Sequence, residues 1–380
     1  MQSSKSGDSK ISLITLTFLV LLIILIPRLY LFFNSPKPFE QGDRIRIKAR
    51  LLSEPIRYER NQYFRLEGLK VYLPLYPEVS YGDWIIVEGV VLEDRLSEGS
   101  LIGYEKGEGF LLSLREKLLE FYTRTLSPPH SSLVSGMVLG SKSQISETFW
   151  GKLKDSGTAH VVVASGMNVS LTGGFLLGFF GLFWMRKIAI LATLLGIWTY
   201  VGLSGFDAPI VRAGIMGTIA FSAQVFGRLS QALKAVFVSA LFMLLANPSW
   251  AADLGFLLSF FATTSLIVFQ PKLKTLVEKS FNFGPQRFLI SPVKKVFIRD
   301  FSTSLAAQIG VFPILYYYFG GANPLSPFIN AIVLWTVAPI TAIGMLSGVL
   351  GLVFEPLGRA ILYLTYPLTW YFVNLVGLFG

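Results

Sequence analysis

The 380-residue chain contains no cysteine and only two histidines, His130 and His160. Disulfide frameworks, iron–sulfur clusters, thiol nucleophiles and Cys-based zinc sites are thereby excluded. A three-histidine metal centre cannot be assembled either. No Gly-x-x-x-x-Gly-Lys-Ser/Thr segment occurs, so the chain carries no phosphate-cradling motor loop of that kind. No metal and no cofactor are expected. Charge is scarce as well, at 15% of residues, where soluble globular chains average about 25%.

What is abundant is apolar. Hydrophobic residues make up 52% of the chain, with 32 Phe, and they gather in runs of spanning length. The pattern predicts a polytopic α-helical membrane protein. The first run, from Ile11 to Phe33, is broken only by Arg28. As a helix it would measure about 34 Å, enough for a hydrocarbon core of about 30 Å. Lys5 and Lys10 precede it and no small-x-small cleavage site follows, so residues 1–35 are expected to form an uncleaved anchor.

Residues 36–107 differ in character. Charged and β-branched residues alternate there, and 11 basic groups nearly balance 12 acidic ones. Two segments echo each other, one starting at Gly42-Asp43 and the other at Gly82-Asp83. Each begins as a turn and continues as a strand. A small all-β, OB-like domain is expected, with Tyr63–Leu73 between the two echoes. Residues 108–130 then place Phe110, Leu111, Leu114, Leu118, Phe121 and Tyr122 on one helical face. That stripe predicts an amphipathic helix in the membrane interface.

Residues 131–380 read as a transmembrane core with spans near 160–184, 188–204, 209–227, 233–247, 252–270, 301–319, 325–350 and 357–379. A short re-entrant hairpin at 131–155 remains open. Gly174/Gly178 and Gly344/Gly348 have the spacing that lets helices approach closely. Alternation from a cytoplasmic N-terminus leaves the β domain outside the cytoplasmic membrane. It puts Arg186–Lys187, Arg228–Lys234 and the basic segment 271–299 inside, as the positive-inside rule asks.

Several residues could carry function. Arg44, Arg46, Lys48 and Arg50 recur at period two and so share one strand face. Arg57 and Tyr63 follow in a mixture of cations and rings that suits a single nucleic acid strand. A solvated strand face, or one touching anionic headgroups, is the other reading. Within the core, Gly157, His160, Ser165, Gly166 and Asn168 open an apolar span. Ser204, Asp207 and Arg212 form a second polar cluster, in which Asp207 could pair with Arg212, and Asp253 opens a later helix. Ser165 and His160 lie about 140° apart on a helix, a poor geometry for a hydrolase. Helix capping and packing are the plainer roles for these groups.

The three core clusters, in this order, resemble the ComEC-type competence family, the inner-membrane DNA channel of natural transformation. Gly157, His160, Ser165, Gly166, Asn168 and Val169 match one motif of that family. Ser204, Gly205, Arg212 and Ala213 match a second, and Asn247, Pro248, Asp253, Gly255, Phe256, Leu258, Ser259 and Phe260 a third. Members also carry an anchor and an OB-like domain, so the resemblance extends over nearly the whole chain. It implies translocation of single-stranded DNA across the cytoplasmic membrane, with no reaction catalysed by this chain. It also implies a cytoplasmic ATPase or helicase, other competence proteins and membrane lipid as partners, and a separate nuclease. Asn168 stands where many members have His, and no His-x-His-x-Asp-His occurs. A membrane-embedded envelope enzyme using His160 and Ser165, or another transporter, is the alternative.

Overall fold

The computed structural model describes residues 5–380 apart from 36–38, 53, 59, 67, 163–164, 226–231, 281–290 and 322. The turn residues Pro36 and Pro38 and the basic Arg228 and Arg287 lie outside the described residues. Helix α1 (Lys5–Asn34) carries the first apolar run. Six strands follow: β1 (Arg44–Arg50), β2 (Ile56–Arg57), β3 (Asn61–Leu66), β4 (Leu69–Pro74), β5 (Trp84–Leu92) and β6 (Arg95–Glu105).

The two Gly-Asp echoes are one turn built twice. Gly42 and Gly82 take φ of 96° and 93°, a region that glycine enters at little steric cost. The carboxylates of Asp43 and Asp83 each accept from the amide three residues back, Glu40 at 2.9 Å and Ser80 at 2.7 Å. The strands leaving these turns pair antiparallel, with Arg44 opposite Val90 and Arg50 opposite Trp84.

The sheet order is β1-β5-β6-β4-β3-β2. β4 and β6 are parallel and the other neighbours antiparallel. Both edge strands therefore come from one stretch of chain. A flat six-stranded sheet would hold its edges about 24 Å apart, at about 4.8 Å per step. The link from Arg50 to Ile56 can reach only about 21 Å, so the sheet has to curl. Its inner face is apolar, with Ile47, Phe64, Val71, Leu73, Ile85, Val87 and Leu96 buried. Buried Gln62 fixes the loop after β4 by donating to the Pro74 and Pro77 carbonyls and accepting from the Val79 amide.

Helix α2 (Phe110–Thr125) has the amphipathic stripe expected of it, and protein covers the later part of that stripe while Phe110 stays exposed. Leu118, Phe121 and Tyr122 are buried. They meet a glycine seam on α13 (Val337–Val353): Leu118 and Tyr122 lie against Gly348, and Phe121 against Gly351. Gly344 on the same seam faces Val134 and Val138. The close-approach expectation thus holds for Gly344 and Gly348, whereas Gly174 and Gly178 face no atom within 4 Å.

Residues 131–155 form two short helices, α3 (His130–Leu139) and α4 (Glu147–Asp155). All ten residues of α3 are buried, so the carbonyls of its last turn have no water to turn to. Three neighbouring helices supply the donors: α2, α6 (Gly166–Gly181) and α7 (Arg186–Leu203). Asn168 Nδ2 donates to Met137 O at 2.6 Å, Tyr200 Oη to Val138 O at 2.9 Å, and Arg115 Nη1 to Leu139 O at 2.6 Å. Gly140 ends the helix in the left-handed region, with φ of 71°. Arg115 also donates to the Leu203 carbonyl and pairs with Glu54 at 2.5 Å. Ser141 and Ser143 satisfy the other Glu54 oxygen. This buried knot ties the sheet to the helices.

The remaining helices are α5 (Ala159–Val162), α8 (Ala208–Val225), α9 (Ala232–Ala246), α10 (Leu254–Ser280), α11 (Ser291–Phe319), α12 (Ser326–Val333), α14 (Glu355–Tyr363) and α15 (Tyr366–Phe379). Among the described residues, four stretches are long and apolar enough to cross a membrane: Ala159–Gly181, Arg186–Leu203, Leu254–Ser280 and Ser326–Val353. The pair α14–α15, bent by 44°, would make a fifth, and α1, α8 and α9 hold shorter apolar lengths. The helix expected to end near residue 270 runs on to Ser280 and carries Lys272, Lys274 and Lys279 beyond its apolar part.

Two stability predictions follow from this packing. A Cβ on Gly358 would stand 2.3 Å from the Gly351 Cα and 2.8 Å from the Ser347 carbonyl oxygen, and backbone cannot yield as a side chain can. Gly358→Ala should therefore cost about 1–3 kcal/mol in thermal unfolding of the detergent-solubilised chain, while Gly178→Ala should leave stability equal or higher. Asn168→Leu should cost about 1–3 kcal/mol by orphaning the Met137 carbonyl. Asn168→His, which keeps a donor, should recover part of that in the same measurement.

Candidate nucleic-acid interface

The first candidate surface is the outer face of β1. Arg44, Arg46, Lys48 and Arg50 are exposed there while Ile45, Ile47 and Ala49 turn inward, as the period-two spacing dictates. The four cations are not idle. Arg44 and Arg46 share Glu88 on the neighbouring strand, at 2.9 and 2.8 Å. Lys48 sits 5.9 Å from the Trp84 ring centroid, and Arg50 donates to the Gly82 carbonyl at 2.8 Å. The Arg46 hydrogen bond, aided by Arg44, holds the Glu88 carboxyl below its ordinary range. Arg57 pairs with Glu78 at 2.9 Å.

A second surface, made by β3 and β4, was only half visible in the sequence. Tyr63 and Tyr72 are register partners, and their rings lie 5.0 Å apart. Arg65 and Lys70 are the next outward pair along the same ladder. Arg65 donates to the Tyr63 hydroxyl at 3.2 Å, and Lys70 pairs with Asp94 at 2.7 Å. Tyr72 is 46% exposed. The Tyr63 hydrogen bond raises the Arg65 pKa, and the carboxylates of Asp253 and Asp94 add to it against partial burial. Asp253 belongs to the helical part, so its charge reaches this face of the sheet.

The polar clusters of the core resolve into separate jobs. Gly157 has φ of 72°, and a Cβ there would collide with Ser326 at the start of α12. His160 is exposed on α5, and Ser165 immediately precedes α6. The two are not hydrogen-bonded to each other, so no nucleophile–base pair is formed. Asn168 is buried and caps α3, with its own Oδ1 left without a partner. Ser204, at the end of α7, has a buried hydroxyl in the same condition.

The pairing of Asp207 with Arg212 does not form. Asp207 reaches Lys142 instead, at 3.4 Å, because Arg212 lies a turn inside α8 and points across to α10. Arg212 donates to the Ser259 carbonyl and the Thr263 hydroxyl. Gly166 is the residue facing it. Asp253 does what a residue opening a helix is expected to do, accepting from the Phe256 amide at 2.8 Å.

Glu54, Arg115, Lys142 and Tyr200 carry much of this arrangement and escaped the sequence reading. For Arg115 a signal existed: it shares the helical stripe of Leu111, Leu118 and Tyr122, at offsets of four, three and seven residues. A cation on an apolar stripe is a cation that will need a buried partner. Glu54 and Tyr200 gave no such signal, since their partners are 61 and 62 residues away.

Comparison with known proteins bears on the helical part. ComE operon protein 3 of Bacillus subtilis (strain 168) is 25% identical over 241 residues, covering 63% of this chain and 29% of that protein. The chain thus matches less than a third of the relative's length. No solved structure matches. The sequence model of the family described as Competence protein matches residues 137–380, taking in α4 to α15 and all three polar clusters but neither the anchor nor the sheet. With well over half of its residues matched, the chain belongs to the Competence protein family.

Proposed function

We propose that this protein is a subunit of a DNA-uptake channel in the cytoplasmic membrane, passing single-stranded DNA inward in natural transformation. The observation that carries the reading is the family match over 137–380. The parts are an anchor at 1–35, an external β domain at 36–107, an amphipathic interfacial helix at 108–130 and the channel core at 131–380. The N-terminus is cytoplasmic on this reading. Lys272, Lys274 and Lys279, gathered on the last turns of α10, support a cytoplasmic position for that helix end. The energy for transport comes from a cytoplasmic ATPase or helicase, and other competence proteins and a separate nuclease act upstream.

The β domain supports the reading by its topology. If β1 and β2 are two halves of one strand, five strands run in the order 1-4-5-3-2-1 around a closed path. That is the Greek-key order of the OB fold, whose second and third strands commonly bind oligonucleotides. Here those strands are β3 and β4. Tyr63 and Tyr72 offer stacking surfaces for bases, with Arg65 and Lys70 beside them for phosphates. Arg44, Arg46, Lys48 and Arg50 form an auxiliary phosphate track whose strength is set by Glu88. The hydrolase alternative draws no support from His160 and Ser165, which are not hydrogen-bonded.

The test is binding of labelled oligothymidylate to the full chain in nanodiscs across a salt series. Tyr63→Ala with Tyr72→Ala should weaken binding by about 1–3 kcal/mol per lost stacking contact and leave the salt slope unchanged. Arg65→Gln with Lys70→Gln should flatten the slope of log affinity against log salt by about 0.7 per lost phosphate contact. Glu88→Gln should act in the opposite sense, tightening binding because it frees Arg44 and Arg46. Acidification should imitate it. Glu88 has a depressed pKa, so its ion pairs stay intact through the ordinary carboxylate range and are lost only as pH falls further, through the depressed value below it. Absence of any binding by the unmodified chain at low salt would remove the sheet as a DNA receptor.

A further inference from the structure

Arg212 is 6% exposed inside the helical part, and no carboxylate meets it among the described residues. Its hydrogen bonds are those from Nη1 to the Ser259 carbonyl and the Thr263 hydroxyl. Nε is buried without a partner. Nη2 makes no hydrogen bond and lies 4.0 Å from where a Cβ on Gly166 would stand. The acids adjoining this region are already engaged, Asp207 by Lys142 and Asp253 by the Phe256 amide. A buried cation with no counter-ion is costly; Nε is buried without a partner, and Nη2 has no hydrogen bond among the described residues.

What Nη2 faces is the start of α6. Gly166 is its first residue, and the side chain of Ser165 before it makes no capping bond. Asn168 and Val169 donate their amides to the Ser165 carbonyl, which leaves the Gly166 and Met167 amides without an acceptor among the described residues, at the positive end of the helix dipole. A Cβ on Gly166 would stand 3.4 Å from the Ala213 Cβ and 4.0 Å from Arg212 Nη2, so glycine lets the guanidinium lie close to the start of α6. Two sets of donors thus lie side by side, and both favour an oxyanion of low charge. We propose that Arg212 and the first turn of α6 form a station for one phosphodiester group of the passing DNA strand. The assignment of DNA as its ligand rests on the uptake reading above; the juxtaposition of donors does not.

The absence of cysteine allows a clean test. Met167, in the first turn of α6, is 38% exposed, and Met167→Cys introduces a unique thiol beside these donors. The full chain carrying it, in membranes, is treated with negatively charged sulfonatoethyl methanethiosulfonate and with the positively charged trimethylammonium reagent. The anionic reagent should react faster, and adding Arg212→Gln should lower the ratio of the two rates by about tenfold or more, as expected for one lost charge-assisted contact. Arg212→Lys should retain part of the preference, and Gly166→Ala, whose added methyl meets only ordinary contacts, should reduce it without loss of folded protein. Oligothymidylate should protect the thiol, and its uncharged methylphosphonate analogue should not.

A rate ratio indifferent to Arg212, or a thiol that neither reagent reaches, would overturn the station whatever the fate of the uptake reading. An Arg212-dependent preference that oligothymidylate does not suppress but phosphatidylglycerol does would assign the site to a lipid headgroup. That outcome would overturn DNA as the ligand while leaving the geometry standing.

Discussion

The structure depends on giving partners to the last three carbonyls of one buried helix. A ten-residue helix with no exposed face cannot end in water, and each unsatisfied carbonyl would cost about 1–3 kcal/mol. The three donors come from α2, α6 and α7, so those helices are fixed in rotation as well as position. Asn168 has to face Met137, Tyr200 has to face Val138, and Arg115 has to face Leu139. The glycine seam of α13 completes the arrangement by letting α2 and α3 approach closely enough for these bonds to form.

Arg115 extends the same constraint to the sheet. As a buried cation it needs a carboxylate, and the nearest is Glu54, in the link between β1 and β2. That link is also what forces the sheet to curl. The bond that ends α3 is therefore one step away from the residues that close the β domain. Arg65 on β3 feels the charge of Asp253 in the helical part.

The polar residues of the three core clusters differ in how fully the fold accounts for them. Gly157, Asn168 and Asp253 are accounted for by a close contact, a helix end and a cap. Arg212 is different, because its surroundings supply two acceptors and leave the rest of the guanidinium unmatched. The β1 cations show the converse. They looked free in the sequence and are partly neutralised in the fold, since Glu88 on β5 falls opposite Arg46 in the register.

Much of the architecture was legible from local pattern. Period-two alternation in Arg44–Arg50, the repeated Gly-Asp turn and the apolar runs from 160 onward each depend on neighbours within a few residues. The helices accordingly fall where the runs do. What lay beyond the sequence were pairings between distant positions: Glu54 with Arg115, Asp207 with Lys142, Arg212 with Ser259 and Thr263, and the stripe of α2 with the glycines of α13. Periodicity says which side of an element is apolar, but not whether lipid or protein covers it. Charge says that a partner is needed, but not which one the fold brings within reach. By itself the sequence determined the elements, their polarity and the family of the helical part. Only the tertiary structure decided which cations are spent on holding the protein together, because that depends on which elements pack side by side.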